Sequence, residues 1–286
     1  YGETTCDAKK KTWELMDRLI PTHVMEIPQC KKPHSIALWQ EEVKAFKAKM
    51  EESTGKEIAE ENLAEALQVM NKKRQALQRL NTLRLHTPSP ISGKDGLLIE
   101  QIAFYDDPLR FTKQLNALCD ELEQRVQNQV NVQSQQAARV MIAGAPMALP
   151  NWKIHNLVEG AGAVIVNEES CVGTRYFKDL IDESVTGMGN MLTALTDRYK
   201  EIDCSCFTPN NERIDQVIRE FHESKAQGII HYSLQFCHTY NIEEVRIREA
   251  CEQEGIPYLS LESDYSLEDM GQLQTRIEAF LEQLND

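Results

Sequence analysis

Val140-Met141-Ile142-Ala143, Ala163-Val164-Ile165-Val166 and Gly228-Ile229-Ile230-His231 are short apolar runs separated by helix-forming stretches. Pro257-Tyr258-Leu259-Ser260 continues the rhythm more weakly. Short apolar strands alternating with helices build a parallel sheet from βαβ units. Residues 137–286 are therefore expected to form an α/β domain. In such sheets ligands collect beyond the carboxyl ends of the strands, so the residues just after each run carry the most functional weight.

Upstream, residues 35–85 are charged and helix-forming, with Leu38, Val43, Phe46, Met50, Ile58, Leu63, Leu67, Met70, Leu77 and Leu80 recurring at helical intervals. A break at His86-Thr87-Pro88-Ser89-Pro90-Ile91-Ser92-Gly93 precedes further helices to about residue 130. Residues 35–136 thus read as a helical middle region. The opening reads as a helix over 7–20 and a short strand over 23–28. Residues 1–34 are then the tail of a first α/β unit whose earlier strands are expected before Tyr1.

The 286 residues are 41% hydrophobic and suffice for two domains. A net charge of −14 disfavours nucleic acid as a partner. No apolar run reaches the roughly 20 residues that span a bilayer, and the opening has no signal-peptide core. These features predict a cytoplasmic protein without membrane association. There a framework of disulfides among the eight cysteines is not expected.

Cys171 and Cys237 each follow an apolar run by a few residues, past the expected strand ends. Cys204 and Cys206 lie before a helix expected to start at Thr208 as N-cap and Pro209 as N1. In an extended segment the two would face the same side. Cys6 precedes a helix whose unpaired N–H groups favour a thiolate or an anionic cluster, with Lys9, Lys10 and Lys11 adding positive charge. Thiolates converging without zinc-finger spacings suit an iron–sulfur cluster better than structural zinc. Against this stands the role of cysteine as a small core residue, expected for Cys119 and Cys251, while Cys30 is assigned a structural role. Arg175, His231 and His238 are candidates to tune the site by donating to cluster sulfurs, or else make ordinary ion pairs and loop hydrogen bonds. Glu168 and Glu169 are candidate acid–base groups, but as adjacent acids they are expected to face solvent. There is no P-loop, and Glu159-Gly160-Ala161-Gly162-Ala163 precedes a strand, contrary to a dinucleotide fingerprint.

Gly2-Glu3-Thr4-Thr5-Cys6-Asp7-Ala8-Lys9-Lys10-Lys11 resembles the signature of the 2-hydroxyacyl-CoA dehydratase D-component family, which includes benzoyl-CoA reductase subunits and double-cubane cluster proteins. Ile91-Ser92-Gly93, Gln101-Ile102-Ala103-Phe104, Glu169-Ser170-Cys171-Val172-Gly173-Thr174-Arg175 and Gln235-Phe236-Cys237-His238-Thr239-Tyr240 extend the resemblance over nearly the whole chain. It implies two flavodoxin-like parallel-sheet domains, the first incomplete here, and an ATP-hydrolysing iron–sulfur activator that supplies electrons. It also implies that Cys6 and Cys237 ligate the cubane common to the family, with a further cysteine from a segment preceding Tyr1. Cys171 with Cys204 or Cys206, or both, resembles the additional set of the double-cubane branch.

The function expected is that of an iron–sulfur reductase component with a double [4Fe-4S] cluster acting on a small molecule. The alternatives are a 2-hydroxyacyl-CoA dehydratase β-type subunit with one [4Fe-4S] cluster, and a non-catalytic protein that stores electrons or senses redox state. The double-cubane branch implies a homodimer and the dehydratase branch a heterodimer.

Overall fold

Val140 and Ile142 pack on one face of a sheet and Met141 and Ala143 on the other, and all four are at most 1% exposed. A strand covered on both faces needs apolar residues at every position, which is why the decisive runs do not alternate. In the computed structural model, which describes residues 1–3 and 6–285, the runs become β3 (Arg139–Gly144), β4 (Val164–Glu169), β5 (Gly228–Leu234) and β6 (Tyr258–Ser263). Their order is β4-β3-β5-β6, with every pairing parallel. The class is α/β. Thr4 and Thr5 of the opening motif lie outside the described residues.

By contact the chain divides into two units, Tyr1–Asn71 with Asp179–Asn210, and Lys72–Lys178 with Asn211–Asp286. The segments 1–34, 35–136 and 137–286 follow element type, whereas these units follow packing. The first contains a parallel pair, β1 (Gly2–Glu3) and β2 (Val24–Met25), with α1 (Asp7–Met16), α2 (Pro33–Thr54), the start of α3 (Glu60–Arg84) and α8 (Met188–Lys200). Trp39 and Val43 of α2 pack with Leu192 of α8 and with Phe207, and this contact draws residues 179–210 into the unit.

The second unit holds the end of α3, α4 (Gly93–Ile102), α5 (Pro108–Gln127) and the four-stranded sheet. It also contains α6 (Lys153–Gly160), α7 (Thr174–Phe177), α9 (Asn211–Ser224), α10 (His238–Glu254) and α11 (Met270–Asn285). Ile154 and Val158 of α6, with Ile277 and Phe280 of α11, cover one sheet face. Val217 and Phe221 of α9, with Ile247 and Cys251 of α10, cover the other. The helix after β3 and the helix after β5 thus lie on opposite faces, which opens a crevice beyond the carboxyl ends of those two strands.

Gly144 ends β3 at φ +128°, and a Cβ there would stand 2.1 Å from the Tyr232 carbonyl oxygen on the neighbouring strand. Gly144→Ala should destabilise the second unit by roughly 2–4 kcal/mol, through both the forbidden dihedral and the backbone clash. Urea unfolding against the unsubstituted protein checks this.

Candidate functional site

The loop after β4 is a tight turn in which the Gly173 N–H donates to the Ser170 carbonyl and to its Oγ, at 3.2 and 3.1 Å. A Cβ on Gly173 would meet the Glu168 carbonyl at 2.0 Å, so only glycine lets the chain double back and hold Cys171 in this turn. Cys237 follows β5 and is the N-cap of α10, with no side-chain capping bond. Both thiols are half-buried at the carboxyl end of one sheet, with β3 between their strands. Cys171 Sγ lies 4.0 Å from the hydroxyl of Tyr240, one turn along the helix that Cys237 caps. Cys171 thus approaches the first turn of the helix that Cys237 caps.

Under them lies a buried charged cluster. Glu169 pairs with Arg175 Nε at 2.7 Å and accepts from Arg213 Nη2 at 3.1 Å, and all three side chains are fully buried. Arg213 also pairs with Glu243 of α10. Arg175 donates from Nη1 to the Tyr240 hydroxyl at 2.6 Å, and from Nη2 to the Gly144 and Glu169 carbonyls at 2.5 and 3.3 Å. One guanidinium thus ties the ends of β3 and β4 to α10. Glu168 is also fully buried, 3.0 Å from His155 Nε2, and accepts from Ser170 Oγ at 3.2 Å. Glu168 and Glu169 do not face solvent as expected, because β4 continues three residues past its apolar run and remains covered on both faces. Neither Arg175 nor either acid is a surface group. Beside them Glu220 accepts from Asn167 and Thr174 at 2.8 and 2.9 Å. Burial, followed by the neighbouring Glu169, lifts its carboxyl above the usual range.

Of the two candidate histidines, His238 is exposed in the first turn of α10. His231 is fully buried in β5, and neither ring nitrogen has a hydrogen-bond partner among the described residues. Its ring stands 6.5 Å from that of Tyr240 and 6.2 Å from that of Tyr258. Burial, reinforced by Arg213 and Arg175, lowers its pKa to about 3.

The other candidates belong to the first unit. Cys6 is the half-buried N-cap of α1, again without a side-chain capping bond, and its carbonyl accepts from Lys10 N–H at 3.1 Å. Lys9 and Lys11 are paired with Glu3 and Glu14, which offsets their positive charge at that end. Cys204 and Cys206 are not in an extended segment. The Phe207 N–H closes a turn on the Cys204 carbonyl at 3.0 Å, and Asn210 Nδ2 donates to the same oxygen at 3.1 Å. This self-closed loop delays the helix, so α9 starts at Asn211 and neither Thr208 nor Pro209 takes the expected cap position. Both thiols nevertheless line one apolar cavity of about 150 Å³, walled by Ile27, Trp39, Tyr199 and Phe207.

Cys119 and Cys251 are fully buried, and burial pushes their thiols up to about 11 and about 12, in keeping with core positions. Cys30 is half-buried, and Ser35 at 2.9 Å with the Lys32 N–H holds its thiol below the usual range. No cysteine is in a disulfide. Among the described residues no three His, Cys, Asp or Glu side chains are arranged around a single ion. A cubane places each thiolate on a different iron, and half-buried soft donors at loop tips and helix N-termini fit such a group.

Arg213 and Tyr240 were not legible as site residues, since they reach Glu169 and Arg175 across 44 and 65 positions. The signal for Glu169 was its place directly after the apolar run of β4.

Residues 1–284 match the family described as 2-hydroxyglutaryl-CoA dehydratase, D-component. The chain is 36% identical over 290 residues to YjiM of Escherichia coli (strain K12), named as a candidate dehydratase subunit, covering 99% of this chain and 73% of that protein. It is 25% identical over 243 residues to the beta subunit of (R)-2-hydroxyglutaryl-CoA dehydratase of Acidaminococcus fermentans, covering 83% of this chain and 62% of that one. Against a benzoyl-CoA reductase subunit of Thauera aromatica it is 21% identical over 233 residues, or 82% and 58% of the two chains. It thus spans only about three fifths of the latter two. No helix among the described residues is long and apolar enough to cross a membrane.

The unfolded chain protonates His231 below about pH 6.5, whereas the folded chain holds it neutral to about pH 3. Its contribution to stability is therefore present above pH 6.5 and is lost as the pH falls toward 3, by about 1.4 kcal/mol per unit. His231→Phe should flatten the pH dependence of urea unfolding between pH 6 and 4.5 by about that slope.

Proposed function

Because the chain belongs to the 2-hydroxyglutaryl-CoA dehydratase D-component family, we propose that it is an iron–sulfur reductase component carrying a double-cubane-type cluster. Its ligands are Cys6, Cys171, Cys204, Cys206 and Cys237, with Cys204 or Cys206 sufficient for the loop they share. The observation that carries this reading is the sorting of the cysteines. Cys119 and Cys251 are in the core, and every ligand candidate is half-buried at a helix N-cap, a strand-end turn or an apolar cavity, whereas Cys30, also half-buried, is in none of these settings and bonds Ser35. Bound there, the cluster would supply low-potential electrons.

The protein's own part is to hold the thiolates in place and limit water around them. The Ser170–Gly173 turn fixes Cys171, the first turn of α10 fixes Cys237, and apolar walls surround Cys204 and Cys206. Apolar surroundings and N–H or O–H donors to sulfur are the means by which a protein sets cluster potential. Electrons come from a separate ATP-hydrolysing iron–sulfur activator and pass to a small substrate in a cytoplasmic homodimer. The relatives named as dehydratase or reductase subunits support a second reading, a dehydratase β-type subunit with one [4Fe-4S] cluster in a heterodimer.

Iron and acid-labile sulfide per chain after anaerobic reconstitution of the full-length protein separate the two. About eight irons are expected, falling to about four in Cys171→Ala; about four in both proteins favours the dehydratase subunit, and none overturns the cluster.

A further inference from the structure

We propose that Tyr240 is the positioning residue for Cys171, holding its sulfur through the phenolic hydroxyl and thereby raising the reduction potential of the cluster that Cys171 ligates. This inference rests on the ligand assignment above. Sequence pattern suggested Arg175, His231 and His238 as donors to sulfur, but a side chain that reaches the Cys171 Sγ is Tyr240, at 4.0 Å. A ligating thiolate has no proton to give, so in that contact the phenol is the donor. Arg175 prepares it for the role. Its Nη1 donates to the Tyr240 oxygen at 2.6 Å, so the phenol accepts there and its oxygen is held beside the sulfur.

The ring is fixed as well as the hydroxyl. Tyr240 is 4% exposed, and the guanidinium carbons of Arg175 and Arg213 stand 5.6 and 5.0 Å from its centroid. Both guanidiniums are held by Glu169, so the phenol cannot swing away without disturbing a buried ion cluster. Arg175 therefore acts on Cys171 through Tyr240. A hydrogen bond to a cluster sulfur stabilises the more negative, reduced form and so raises the potential.

The test compares reconstituted protein with Tyr240→Phe, with 3-fluorotyrosine placed at position 240, and with Cys171→Ala, reading iron content and midpoint potential. Tyr240→Phe should retain the iron and lower the potential. The fluorinated phenol, a stronger donor of the same shape, should raise it. Opposite signs are the readout that a merely structural role would not produce. If Tyr240→Phe fails to fold or load, the 3-fluorotyrosine protein decides alone, and an unmoved potential there overturns the proposal. Full iron in Cys171→Ala removes the ligand assignment and this inference with it. Lost iron in Cys171→Ala with unmoved potentials in both position-240 proteins overturns only the role of Tyr240.

Discussion

The Glu169–Arg175 ion pair, with Arg213 as its second cation, is the contact on which the carboxyl end of the sheet depends. Three ionised side chains without exposure are tolerable only because each is paired, and removing any one leaves a buried charge uncompensated, at a penalty of about 3–5 kcal/mol. Arg175 also satisfies the Gly144 and Glu169 carbonyls where β3 and β4 end, positions that a continuing sheet would otherwise bond. The turn bearing Cys171 and the helix capped by Cys237 hang from this pair. The geometry of the thiols is therefore set by charges beneath them as well as by the turns that carry them.

The sheet was readable because burial on both faces leaves a local mark. Val140–Ala143 and Ile229–Ile230 could not be half-exposed strands, and the rhythm of the helices between them specified parallel pairing. The sorting of cysteines was readable for a similar reason, since Cys119 falls in step with Phe111, Leu115 and Leu122 of α5, and the structure buries all four together. The charged cluster was not readable. Adjacent glutamates are usually solvated, and only partners 6 and 44 positions away, brought in by α7 and α9, make Glu169 a core residue.

The loop around Cys204 and Cys206 failed to read for a different reason. Thr208-Pro209 has the residue types of a helix start, but the Asn210 side chain bonds back to the Cys204 carbonyl, and the Thr208 N–H donates to the Gln29 carbonyl. Local cap chemistry was overridden by closure of the loop on itself and on residues nearly 180 positions earlier. Lys31 pairs with Asp203 at 2.7 Å in the same place, so the Cys204–Cys206 turn is anchored on both flanks to the stretch around Cys30.

The excursion of residues 179–210 makes each unit discontinuous in the chain. During synthesis the first unit waits for α8 to leave the ribosome before Trp39 and Val43 can be covered, although the residues it covers were made more than 140 positions earlier. The second unit waits longer, because β5 and β6 come later still. The first unit can therefore close only after residue 210 and the second only after β6, so neither core matures while the chain between its own halves is still being made.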